Sequence, residues 1–206
     1  MTKVKICGLQ TFDDLSAVNE FLPDYVGFVF AESPRKITPS TALKLRLCLD
    51  RRIEVIGVFV NQDTNFIVEL VKNGHIDHIQ LHGDEDQSFI ADIREALTHY
   101  PTCKIIKAFA VKNSIPPLYV GIDYALYDTS SAQRGGSGTC FDWRILQNHK
   151  PAPYFLAGGL TVHNIEKAVR LLNPYCLDVS SGVETAGIKD KEKIKDFIAL
   201  ARKEAS

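Results

Sequence analysis

The feature that most constrains the fold is an eightfold alternation of short apolar, β-branched runs with amphipathic stretches. The runs are Val4–Cys7, Tyr25–Phe30, Val55–Val60, Ile76–Leu81, Lys104–Phe109, Tyr124–Tyr127, Tyr154–Leu156 and Tyr175–Val179. Between and after them, helical patterns cover Phe12–Glu20, Pro39–Leu49, Asp63–Lys72, Glu85–Leu97, Phe141–Gln147, Val162–Leu172 and Lys191–Arg202. Pro39 suits a first helical turn. The fifth helical slot, Lys112–Val120, is the weak one, because Pro116 and Pro117 break any helix there.

Apolar strands that alternate with helices indicate a parallel sheet buried on both faces. Eight units without a break in composition predict one domain over residues 1–206: an α/β fold, the (β/α)₈ TIM barrel with a closed parallel sheet. At 206 residues the chain sits near the lower limit for that barrel. An open doubly wound sheet is the rival, but it uses five or six strands and leaves two units unplaced. No GxGxxG follows the first run, which weakens that rival further.

Charge then narrows the partners. Lys and Arg total 24 against 25 Asp and Glu, a net charge of -1. That balance supplies no general field for nucleic acid or a membrane surface, so an anion site must be local. No apolar segment approaches the roughly 20 residues that cross a bilayer, and the start of the chain lacks the h-region of a signal peptide. The five cysteines are scattered with no CxxC spacing, which fits reduced thiols and a cytoplasmic setting. Cys48, Cys103 and Cys176 lie among apolar neighbours and read as core residues. The histidines show no metal-like spacing, and neither a metal nor a cofactor is expected. No exposed apolar repeat argues for a dimer, so a monomer is expected.

In a parallel barrel the chemistry lies where strands end and βα loops begin. Those ends supply Lys5 and Cys7, Arg35, Asn61, Gln80 and His82, Lys107, Asp128, Gly158-Gly159, and Asp178 with Ser180-Ser181-Gly182. The last two groups follow strands seven and eight, where barrels commonly bind phosphate. Glycines there admit close backbone N–H contacts, and a helix N-terminus adds positive potential. The plainer alternative is that Gly-Gly and Ser-Gly only make turns.

Cys7 ends the first strand, and Lys5, two residues earlier, shares its face. A nearby ammonium favours the thiolate and is expected to lower the cysteine pKa, giving a base or nucleophile. Otherwise Cys7 is a buried thiol at a barrel end. Asp128 closes the sixth strand after Tyr124-Ala-Leu-Tyr. At an apolar rim it can serve as an acid, or Asp128-Thr-Ser-Ser can form an Asx-turn that caps a helix or turn. Strands one and six are well separated, so Cys7 and Asp128 would flank a ligand. Arg35 can grip a carboxylate through a bidentate pair, or be solvated surface charge. The glycine-rich Gln133–Cys140 stretch reads as a lid or a long connection.

Taken together, Val4-Lys-Ile-Cys-Gly-Leu, Val26-Gly-Phe-Val-Phe, Ser33-Pro-Arg-Lys-Ile-Thr-Pro, Gly57-Val-Phe-Val-Asn, Ile79-Gln-Leu-His-Gly, Leu126-Tyr-Asp-Thr, Gly135-Gly-Ser-Gly, Leu156-Ala-Gly-Gly-Leu and Leu177-Asp-Val-Ser-Ser-Gly-Val-Glu resemble the phosphoribosylanthranilate isomerase family of tryptophan biosynthesis. The pieces occur in order along nearly the whole chain. The resemblance implies an Amadori rearrangement of an N-linked aminoaldose into an aminoketose. It makes Asp128 the acid that opens the furanose ring and Cys7 the base that removes the C2′ proton. It places Arg35 against the anthranilate carboxylate, Asp178 on a sugar hydroxyl, and Gly158, Gly159, Ser180, Ser181 and Gly182 around the phosphate. Lys5, Gln80 and His82 become supporting residues. Thr139-Cys140 departs from the family's usual pattern and bears on the details of the lid. Three other readings are weighed beside it: a sister barrel isomerase of another pathway, a non-catalytic phosphate-binding barrel, and an oxidoreductase on the same fold. Cys7 at strand one argues against the sister barrels, which are expected to use a Lys/Glu pair or two Asp residues.

Overall fold

The computed structural model describes residues 1–129, 141–147 and 153–203. Gln133–Cys140, with Thr139-Cys140, and His149 lie outside the described residues.

Eight parallel strands close into one barrel in strict sequence order. They are β1 (Lys3–Cys7), β2 (Tyr25–Val29), β3 (Glu54–Phe59), β4 (His78–Leu81), β5 (Ile105–Val111), β6 (Tyr124–Thr129), β7 (Tyr154–Leu156) and β8 (Cys176–Val179). The helices between and after them are α1 (Phe12–Phe21), α2 (Pro39–Cys48), α3 (Thr64–Lys72), α4 (Gln87–Ala96), α5 (Arg144–Gln147), α6 (Ile165–Leu172) and α7 (Lys191–Lys203). A short hairpin of β9 (Glu184–Thr185) and β10 (Ile188–Lys189) stands beyond β8.

Local chemistry sets the helix starts. Thr11 and Asp14 form a capping box on α1, Pro39 occupies the first turn of α2, and Asp63 and Asp86 cap α3 and α4. The fourth helix therefore begins two residues later than its pattern suggests, because Glu85 is drawn into an ion pair and Asp86 takes the cap. Residues 112–120 form no helix, as the two prolines require. Gln87 on α4 holds that segment by exchanging two 2.8 Å hydrogen bonds with the Val120 backbone.

The barrel interior is layered. Tyr25, Ile56, Ile106, Leu126, Phe155 and Cys176 fill its lower part as one apolar cluster. The register sets Lys5 beside Asp178, Val58 beside Gln80 and Ala110 beside Asp128, so the polar inward residues gather nearer the strand C-termini. The outward faces pack against the helices, with Phe28, Phe59 and Phe197 fully buried there. Cys103 and Cys176 are buried as expected, but Cys48 is exposed. It is the last residue of α2, a helix that buries only Ala42 and Leu45.

Candidate active site

At the C-terminal ends of the strands lies a cavity of about 410 Å³. Cys7, Arg35, Gln80, His82, Asp128, Gly158, Gly159, Asp178, Ser180, Ser181 and Gly182 line it. Lys5 forms its buried floor. Two strand-end residues are diverted from the mouth. Lys107 alternates outward from Ile106 and Ala108 and pairs with buried Glu85 at 2.9 Å. Asn61 takes a left-handed backbone (φ 49) and donates its N–H to Glu85 Oε1 at 2.7 Å. Together they brace the loops after β3 and β4.

The cavity has two unlike walls. Val29, Phe30, Ala31, Val58 and Val60 make an apolar side at β2 and β3. The loops after β7 and β8 make the other side with Gly158, Gly159, Ser180, Ser181 and Gly182. The glycines there are sterically required. A Cβ at Gly182 would sit 1.8 Å from the Leu160 carbonyl oxygen, and one at Gly158 (φ 83) within 2.6 Å of Thr129 and Asp128 atoms. The Ser180 hydroxyl donates to the Cys7 carbonyl at 2.9 Å and ties this loop to β1.

Cys7 projects above Lys5, and Gly27 opposite makes room for its sulfur, since a Cβ there would approach it to 2.6 Å. The expected lowering of the thiol pKa does not hold. Burial pushes the Cys7 thiol up; Lys5 opposes this, but Asp178 adds to it, and the net direction is upward. The Lys5 charge is already engaged by Asp178 at 2.8 Å, so little of it is free to favour a thiolate.

Asp128 accepts a 2.6 Å hydrogen bond from the Thr129 N–H on one oxygen and faces His82 Nε2 at 3.4 Å with the other. The Thr129 bond reaches one residue on, not the two of an Asx-turn, and leaves Asp128 in the cavity. Asp178 takes Lys5 on Oδ2, while its buried Oδ1 has no protein partner among the described residues.

Arg35 is not solvated surface charge. Its Nε and Nη2 grip both oxygens of Glu184 at 2.8 and 2.7 Å, so the bidentate partner is a carboxylate of the protein itself. Lys189 completes the cluster, 2.6 Å from Glu184 and 3.1 Å from the Ser180 carbonyl. Burial would raise the Glu184 carboxyl, but Arg35 and Lys189 hold it below its ordinary value. Sequence reasoning passed over Glu184 and Lys189; the signal was the acid that closes Ser180-Ser-Gly-Val-Glu.

Residues 4–199 match the family described as N-(5'phosphoribosyl)anthranilate (PRA) isomerase. An N-(5'-phosphoribosyl)anthranilate isomerase of Endomicrobium trichonymphae is 47% identical over 203 residues, covering 98% of this chain and 99% of its own. One from Clostridium acetobutylicum is 41% identical over 207 residues, with 98% and 99% covered. The crystal structure of phosphoribosyl anthranilate isomerase from Thermotoga maritima superposes with a TM-score of 0.85 at 33% identity, covering 98% of this chain and all of that one. A further isomerase structure, in complex with reduced 1-(o-carboxyphenylamino)-1-deoxyribulose 5-phosphate, gives a TM-score of 0.82 at 31% identity, with 98% and 100% covered.

Proposed function

Since this chain belongs to the N-(5'-phosphoribosyl)anthranilate isomerase family, we propose that Cys7 and Asp128 carry out the isomerisation as base and acid. The activity itself is the isomerisation of N-(5'-phosphoribosyl)anthranilate in tryptophan biosynthesis. The substrate contains a phosphate, a furanose and a carboxylated aromatic ring, and the cavity offers one surface for each. The phosphate goes to the loops of Gly158, Gly159, Ser180, Ser181 and Gly182, whose amides and missing Cβ atoms suit an oxyanion. The aromatic ring packs on the Phe30–Val58 side, and its carboxylate meets the guanidinium N–H groups of Arg35 that the Glu184 pair does not use. This leaves the sugar between β1 and β6.

Asp128 gives its proton to the furanose ring oxygen, the C1′–O bond breaks, and a Schiff base forms. Cys7 reacts through its thiolate, which the raised thiol pKa makes the minor form; it takes the proton from C2′, and the electron pair moves through C1′ to nitrogen to give the enolamine. Tautomerisation to the ketone oxidises C2′ and reduces C1′, so no outside electron carrier enters the balance. The free, buried Oδ1 of Asp178 is the acceptor for a sugar hydroxyl, and its cost of burial is offset when that bond forms. Lys5, Gln80 and His82 support these groups from below.

The observation that carries this reading is that Cys7 and Asp128 line one cavity from strands three places apart on the ring. A base and an acid so placed attack opposite sides of one sugar. The reading extends to one barrel domain acting as a monomer in the cytoplasm; light scattering tests the monomer. The test of mechanism follows the fluorescence of phosphoribosylanthranilate mixed with the protein, with Cys7→Ala alongside. Fast decay with the parent and background decay with the variant is the expected result. Equal decay with both would remove Cys7 from the reaction.

A further inference from the structure

Lys5 has three N–H donors and no acceptor. In the barrel floor it donates to Asp178 Oδ2 and Gln80 Oε1, both at 2.8 Å. Burial works most strongly against the ammonium, but Asp178 and Cys7 together outweigh it, and the amine pKa lies above its ordinary value. Lys5 is therefore a fixed donor, and this orders everything next to it.

The Gln80 amide must turn its oxygen toward Lys5, which leaves its Nε2, a donor, on the far side. There Nε2 meets His82 Nδ1 at 2.9 Å. A donor requires a lone pair opposite, so the neutral imidazole carries its proton on Nε2. That nitrogen faces Asp128 Oδ2 at 3.4 Å. The gap exceeds an N–H···O bond by a few tenths of an ångström, and catalytic contacts often tighten to that degree once substrate docks.

We propose that Lys5, Gln80 and His82 form a directed hydrogen-bond chain that fixes His82 as an N–H donor to Asp128 and so makes Asp128 a stronger acid. The proposal rests on the reading of Asp128 as the acid. Gln80 and His82 act through Asp128 and are positioning residues. The chain passes polarity and no proton, since an amide cannot relay one without becoming its imidic acid. When Asp128 gives its proton to the ring oxygen, the new carboxylate finds a donor already in place, which stabilises the product of that step. Among the described residues, the other charged or titratable groups lining the cavity are Cys7 from β1, Glu32, Arg35 and Lys36 from the loop after β2, and Asp178 from β8. The Lys107–Glu85 pair lies behind, outside β5. None of these is altered in the variants below.

Nitrogen-15 chemical shifts of His82 in the intact protein, assigned by the signal missing from His82→Leu, read the tautomer independently of turnover. The expected result is a protonated Nε2 and a bare Nδ1. Gln80→Glu keeps an acceptor for Lys5 but offers no donor to the ring, and it should move a proton onto Nδ1. In His82→Leu and Gln80→Leu, the limb of the pH–kcat profile that reports Asp128 should rise by about 0.5–1.5 units, the difference between a hydrogen bond to the carboxylate and one to its neutral acid. A wild-type imidazole protonated on Nδ1, or a Gln80→Leu profile that superposes on the parent, overturns the chain. Full turnover in Asp128→Asn would instead overturn the acid assignment, and with it the chain's task, whatever tautomer His82 shows.

Discussion

Replacing Lys5 by methionine should destabilise the barrel far more than replacing Lys5 and Asp178 together. Lys5 is fully buried and the Asp178 side chain is 7% exposed, with 2.8 Å between the charges. At an effective dielectric near 20 their attraction is about 6 kcal/mol. Burying each ion costs several kcal/mol, so the intact pair contributes little net stability. The asymmetry appears when one partner goes. Lys5→Met leaves the Asp178 carboxylate buried and unpaired, a loss of about 3–5 kcal/mol against a typical total of about 5–15 kcal/mol. The double variant Lys5→Met, Asp178→Leu removes both charges and should recover most of that loss. Urea unfolding of the parent, the two single variants and the double variant gives the coupling energy directly. The pH dependence has a definite sign. The Lys5 amine is raised above its unfolded value of 10.5, so its contribution is complete below that pH and is lost as pH rises through the folded value. A Lys5→Met loss under about 1 kcal/mol at pH 7, or a double variant no better than the single, would refute the claim that this pair is desolvated.

Three further outcomes are expected. Because burial outweighs Lys5 at Cys7, alkylation of Cys7 by iodoacetamide, followed in a Cys48→Ser, Cys140→Ser background, should have its midpoint above the ordinary value of 9.0; a midpoint below it would restore the simple ammonium argument. Gly182→Ala forces a Cβ against the Leu160 carbonyl, so the loop must move, at a cost of about 1–3 kcal/mol, and KM should rise many-fold; an unchanged KM would take this loop out of the phosphate site. Glu184 has a lowered carboxyl pKa, so its contribution to stability is present above 4.5, its unfolded value, and is lost as pH falls through the folded value. The stability gap between the parent and Glu184→Gln should therefore shrink from pH 7 to pH 3, and a constant gap would rule out the charge cluster as its origin.

Much of the site was legible because a parallel barrel converts sequence order into position. Once Val4–Cys7 and Tyr124–Tyr127 are strands, Cys7 and Asp128 must end up at the same rim, on different arcs of it. The same rule overreached at Lys107 and Asn61. Strand alternation turns Lys107 outward to Glu85, and the left-handed backbone at Asn61 turns it into the same brace. Arg35 carried a correct chemical signal, a bidentate grip on a carboxylate, but its partner is Glu184, 149 residues away. Cys48 shows a related limit: apolar neighbours in sequence do not bury a side chain at the last turn of a weakly amphipathic helix.

By itself, then, the sequence determined the eight strands, their order and the loops from which function must come. Those features depend on periodicity, proline and caps, which act over a few residues. The tertiary structure alone decided which way each polar group faces, whom it pairs with and what burial does to its proton. Lys5 and Asp178 meet across 173 residues of chain, and the Cys7 thiol is pushed up because the floor that encloses it excludes water. Desolvation and ion pairing depend on everything packed around a group, and that environment exists only once the barrel has closed.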